Sequence, residues 1–143
     1  MQISLKPSSD KSFTAQLTRE NMTPYYRQRN ILWNQARFDQ NWPRFNNYEV
    51  HIGEKPVGIL RLSFADNICY IREIQLKREY QGAGIGSRVL DWVVKKAREY
   101  KLTAVRLSVY TNNPARRLYA RKGFQVKQLY QDMYRMQYRL QPS

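Results

Sequence analysis

Cysteine, histidine and acidic side chains are scarce in this chain. Its 143 residues include one cysteine, Cys69, and one histidine, His51. An internal disulfide is therefore excluded, and no metal-ligand cluster and no Ser/His/Asp or Cys/His catalytic set is found in the sequence. Cys69 lies inside an apolar run and reads as a buried core thiol. His51 lies in a predicted strand beside a turn and reads as structural. No stretch approaches an apolar membrane span, and Met1–Pro7 lacks an apolar leader core, so the expectation is a cytoplasmic protein with no membrane partner. Repeats, low-complexity tracts and Gly/Ser-rich linkers are also missing, so residues 1–143 read as a single domain.

Only 11 Asp/Glu stand against 25 Lys/Arg, leaving a formal net charge of +14. The excess is uneven. Residues 1–66 carry nine cations and six acids, a net of +3, whereas residues 67–143 carry sixteen and five, a net of +11. Such a field attracts polyanions and steers anionic ligands, although a solvated basic face would have the same composition. An apolar fraction of 42%, with 13% aromatics, is enough for a packed core.

A short first strand is predicted at Ile3–Lys6, followed by a helix capped by Ser9 or Asp10 and running through Phe13, Leu17 and Met22. Pro24 is expected to interrupt it, with a second helical piece through Ile31, Leu32 and Phe38. Strands are predicted at Tyr48–Ile52, Pro56–Phe64 and Ile68–Leu76, joined by turns at Gly53-Glu54-Lys55 and Asp66-Asn67. Ile85, Val89, Trp92, Val93 and Ala97 repeat at helical spacing, and Val105, Leu107 and Val109 alternate as a strand. Asn113-Pro114 opens a further helix that Gly123 closes. Strands at Phe124–Leu129 and Met133–Leu140 follow. The fold class is α/β (α+β): a mixed, mostly antiparallel twisted sheet of six to seven strands flanked by about four helices.

Half of the six glycines bear on function. Gly82, Gly84 and Gly86 alternate in Gln81-Gly82-Ala83-Gly84-Ile85-Gly86-Ser87, between a strand and a helix. Backbone N–H groups at such a junction cradle phosphate, aided by the positive end of the helix dipole. A tight turn is the alternative. Walker A is excluded because Ser87-Arg88 stands where Lys-Ser/Thr is needed, and the dinucleotide fingerprint because the spacing is G-x-G-x-G after antiparallel strands.

Together with Asn113-Pro114-Ala115 and Leu118-Tyr119…Gly123-Phe124, this loop resembles the GNAT superfamily of acyl-CoA-dependent N-acyltransferases, over Ile68 to Phe124. The resemblance implies splayed central strands and acetyl-CoA as co-substrate, with no metal. It assigns the pyrophosphate to the N–H groups of Gln81, Gly82, Ala83, Gly84, Ile85, Gly86 and Ser87. The pantetheine arm would lie on the main chain of Ile74, Gln75 and Leu76. Asn113 would touch that arm, cap its helix, or do both. Tyr119 would protonate the departing thiolate, a sensible transfer from a phenol of pKa about 10 to a thiolate near 8.5.

Many family members carry a glutamate on the fifth strand, where this chain has Leu107-Ser108-Val109. Glu73 is the remaining candidate base. It is expected to share a strand face with Ile71 and Gln75 and to have a raised pKa through burial; a structural ion pair with Arg72 or Arg61 is the other reading. The acceptor site falls to the N-terminal half, where Tyr25, Tyr26, Trp33, Phe38, Trp42 and Phe45 form either core or an apolar pocket. The basic field disfavours polyamines and aminoglycosides unless Asp39 and Glu49 offset it. It favours neutral or acidic amines, a protein N-terminus or an aminoacylated RNA; the expected partners are a small-molecule or peptide amine acceptor and RNA or another polyanion on the basic C-terminal half. Two other functions stay open: an RNA-binding protein using Lys95, Lys96, Arg116, Arg117 and Arg121, and a catalytically silent CoA-binding module. Either a monomer or a homodimer is compatible.

Overall fold

The computed structural model describes residues 2–140. Seven strands form one sheet in the order β1-β2-β3-β4-β5-β7-β6. They are β1 (Ser4–Pro7), β2 (Asn46–Ile52), β3 (Lys55–Ala65), β4 (Ile68–Leu76), β5 (Ala104–Tyr110), β6 (Gln125–Tyr130) and β7 (Met133–Arg139). Four helices flank the sheet: α1 (Lys11–Gln28), α2 (Gln35–Asn41), α3 (Ile85–Glu99) and α4 (Ala115–Arg121). All strand pairs are antiparallel except β4–β5.

The α3–α4 side holds the main core. Val89, Leu90, Val93 and Ala97 of α3 are buried against Val57, Leu60, Leu62, Cys69, Val105 and Leu107 of the sheet. Burial of each such Val or Leu contributes about 1.5–3 kcal/mol before entropy is charged against it. On the other side α1 packs over β3 and β4 through Thr14, Leu17 and Thr18, with Phe38 of α2 beside it. Cys69 is buried, which pushes its thiol up to about 12, and His51 Nε2 bonds Glu49 Oε1 at 2.9 Å.

Two local expectations give way to tertiary context. Pro24 does not break α1, which is capped by Asp10 Oδ1 on the Phe13 N–H (3.0 Å) and continues to Gln28. Packing of its buried face outweighs the hydrogen bond that proline removes. Ile31 and Leu32 lie outside any helix, and α2 starts only at Gln35, capped by Asn34 Oδ1 on the Arg37 N–H at 2.9 Å.

The β3–β4 register carries the third difference. Arg61 pairs with Glu73 but Leu62 pairs with Ile71, so Arg72 is the extra residue of a bulge. Arg61 and Leu62 are neighbours on β3 and face opposite ways. Glu73 therefore lies on the α1 side with Gln75, while Ile71 lies on the α3 side. The shared face expected for Glu73 and Ile71 is removed by one inserted residue.

Candidate active site

The site begins where β4 and β5 part. They pair only over Ile68–Tyr70 and Ala104–Arg106, and beyond that the ladder stops. Main-chain groups alternate sides along a strand. The Lys77 N–H bonds Val57 O of β3 at 2.9 Å, so Leu76 and Ile74 turn their N–H and C=O toward the gap and Gln75 turns its own toward β3. Of the three residues assigned to the pantetheine arm, only Ile74 and Leu76 offer main chain there. The Leu76 carbonyl already accepts from Asn21 Nδ2 (2.9 Å) and Gln81 Nε2 (3.1 Å).

At the mouth of the gap the chain passes through a 3-10 turn, Arg78–Tyr80, into the glycine loop. Gly82 and Gly84 have φ of +76° and +83°, a region that costs any residue with a Cβ. Gly84 is the N-cap of α3 and carries no capping side chain. The N–H groups of Ile85, Gly86 and Ser87 thus open outward at the positive end of a 15-residue helix. Gly86 has a different job. A Cβ there would stand 3.1 Å from Leu118 Cδ2, so α3 and α4 meet closely at the residue preceding Tyr119. Asn113 Oδ1 accepts from the Ala115 N–H at 2.9 Å and caps α4. The loop and uncapped helix end fit a pyrophosphate.

Glu73 stands at the base of the splay. Burial pushes its carboxyl up to about 7, against the opposing pull of a hydrogen bond from Gln75 Nε2 (2.6 Å) and the charge of Arg61. Gln75 is itself held by Asn21, whose Nδ2 donates to Gln75 Oε1 at 3.0 Å. Arg72 turns to Ser63 Oγ (2.7 Å), and Arg61 Nε donates to Asn47 Oδ1 (2.8 Å). The Arg61 guanidinium is buried among Phe38, Phe45 and Trp42, 4.5, 4.7 and 5.7 Å from their centroids.

Three phenols feel the Glu73 charge. Tyr119 of α4, Tyr26 of α1 and Tyr110 of β5 all have raised pKa values, first through burial and then through that carboxylate. Arg29 pulls Tyr110 the other way; its guanidinium lies 3.9 Å over the ring. Tyr119 is buried with the α3–α4 core, its ring edge-on to Phe124, whereas Glu73 lies on the α1 side. The two groups lie on different sides of the sheet, close enough for the Glu73 charge to reach the phenol.

Residues 13–124 match the family model for the acetyltransferase (GNAT) family. The chain belongs to the GNAT family. No curated protein sequence matches it. Similar solved structures include the PaiA N-acetyltransferase of Thermoplasma acidophilum in complex with coenzyme A, with a TM-score of 0.77, 17% identity and coverage of 98% of this chain and 100% of that one. A GNAT acetyltransferase of Elizabethkingia anophelis with acetyl-CoA bound has a TM-score of 0.76 at 16% identity, covering 96% and 98%. The ribosomal-protein-S18-alanine N-acetyltransferase of Escherichia coli has a TM-score of 0.75 at 17% identity, covering 99% and 96%.

Within this GNAT fold, β5 brings no carboxylate to the gap: Leu107 and Val109 are buried on the α3–α4 side and Ser108 points the other way. The aromatic set of the N-terminal half divides. Tyr25 and Tyr26 reach the gap, with Tyr25 stacked on Tyr110 at 6.2 Å, while Phe38, Trp42 and Phe45 enclose Arg61. Tyr110 and Asn21 were not legible as site residues. Tyr110 carries one signal, a polar-tipped aromatic ending the alternation Val105, Leu107, Val109. Among the described residues no cluster of three His, Cys, Asp or Glu is placed to hold a metal ion, and no helix is long and apolar enough to cross a membrane.

Proposed function

We propose that the protein is an acetyl-CoA-dependent N-acetyltransferase that moves an acetyl group directly to a primary amine while both substrates are bound. The observation that carries this reading is the splay. It opens a gap beside the outward main chain of Ile74 and Leu76 and the uncapped N-terminus of α3, and it supports reading Glu73, on the α1 side, as base and Tyr119, in the α3–α4 core, as acid.

The co-substrate supplies an activated acetyl thioester. The N–H groups from Gly82 to Ser87 hold its pyrophosphate, and main chain at Ile74 aligns the arm and donates toward the carbonyl oxygen. Glu73, poised near neutrality, takes the proton that the amine must lose as the C–N bond forms. The C–S bond breaks as the Tyr119 phenol, protonated at neutral pH, gives its proton to sulfur. Tyr26 and Tyr110 orient the amine or a relaying water on the α1 side. The amine acceptor is a small molecule or a peptide N-terminus, the latter supported by likeness to the S18-alanine enzyme.

Thiol release from acetyl-CoA across an amine panel tests this. Tyr119→Phe should lower kcat by about 10²–10⁴ while keeping CoA affinity, and Glu73→Gln should do the same near pH 7. Turnover unchanged in Glu73→Gln would move the base elsewhere; failure to bind acetyl-CoA would remove the whole reading.

A further inference from the structure

On the α1 side of the sheet, part of β5 and β7 is left exposed. The register places Tyr70 of β4, Arg106 and Ser108 of β5, and Arg135 and Gln137 of β7 on the side opposite the main core. Helix α1 packs on that side over β3 and β4, and Arg106, Ser108 and Arg135 are exposed. Arg72, the bulge residue, turns onto this face through Ser63.

Three arginines thus lie on three neighbouring strands in staggered register: Arg106 is level with Tyr70 and Gln137, and Arg135 with Ser108. Each is oriented by a neutral partner rather than a carboxylate: Arg72 by Ser63 Oγ (2.7 Å), Arg106 by Gln137 Oε1 (2.7 Å) and Arg135 by Gln128 Oε1 (2.9 Å). None appears among the ion pairs of the described residues, so the charge is fixed in place without being neutralised. Two of them stack on rings, Arg72 on Tyr70 at 4.8 Å and Arg135 on the exposed Tyr130 at 4.3 Å.

We propose that this face binds single-stranded nucleic acid, the arginines taking phosphates and the Arg135–Tyr130 stack taking a base. A pleated surface with interleaved guanidinium and aromatic planes suits unpaired bases, and bidentate guanidiniums suit phosphate. The net charge of +11 over residues 67–143 supplies the long-range attraction. An acidic protein is the competing occupant, and the polyglutamate arm of the test below separates it from nucleic acid. The inference does not depend on acetyl transfer.

The test is fluorescence anisotropy with a labelled oligouridylate 12-mer at 50 and 200 mM salt. Wild type should bind with a steep salt dependence. Combined Arg72→Gln, Arg106→Gln and Arg135→Gln should weaken binding at least tenfold at low salt and flatten the log–log slope by about 2, at about 0.7 per contact. Each single change should remove about 0.7, which keeps the result readable if the triple variant does not fold. Tyr130→Ala should weaken the oligouridylate several-fold and leave binding of polyglutamate unchanged. Oligouridylate binding unaltered by the arginine changes, or polyglutamate displacing it at equal charge, would overturn the proposal.

Discussion

Glu73 is the proposed base, and its environment makes that proposal testable at the scale of one residue. Its carboxyl is raised from 4.5 to about 7 by desolvation. The folded state therefore binds a proton that the unfolded chain has released between those values, and stability falls as pH rises through that window. Glu73→Gln should accordingly raise the melting temperature above pH 7.5, by an amount equivalent to about 2 kcal/mol after allowing for partial exposure, and give no gain below pH 4. Thermal melts of both proteins across pH 4–8 check this. A stabilisation that is the same at every pH would mean that the carboxyl is not desolvated. Residue identity made Glu73 visible as a candidate by elimination. Its environment was not visible, because the Arg72 bulge that turns it toward Asn21 and Gln75 leaves no mark in local pattern.

At the scale of elements, the meeting of α3 with α4 links the donor site to Tyr119. Gly86 leaves only enough room for Leu118, so Gly86→Val should push Leu118 back, displace Tyr119 and lower kcat more than tenfold. The companion change Gly84→Ala strains a left-handed cap and should instead weaken CoA binding, with a stability loss of about 1 kcal/mol. Isothermal titration with CoA, set beside kcat, separates the two. Strong periodicity made α3 and the β3–β4–β5 succession legible, and β4 has the predicted bounds, Ile68–Leu76. The weak points were those where packing overrides propensity. Pro24 is absorbed within α1, and Ile31-Leu32 belong to a connector although their spacing suits a helix.

For the whole molecule, the sheet acts as a partition with one opening. The donor motifs lie on the α3–α4 side and at the gap's mouth, and Glu73, Tyr26 and Tyr25 lie on the α1 side. The proposed CoA half was readable because a phosphate cradle needs particular glycines at particular spacing. The proposed acceptor half was not, because its candidate residues on α1, β4 and β5 are brought together only by the fold. Net charge gives a prediction at this scale: the KM for acetyl-CoA should rise with ionic strength between 50 and 200 mM salt, whereas kcat should change little.

The pH dependence of kcat/KM for acetyl transfer, measured with several amines of different pKa, tests the roles of Glu73 and the splay most directly. One ascending limb near pH 7 should be common to all the amines and should disappear in Glu73→Gln. A limb that follows each amine's own pKa and persists in Glu73→Gln would contradict Glu73 as the base.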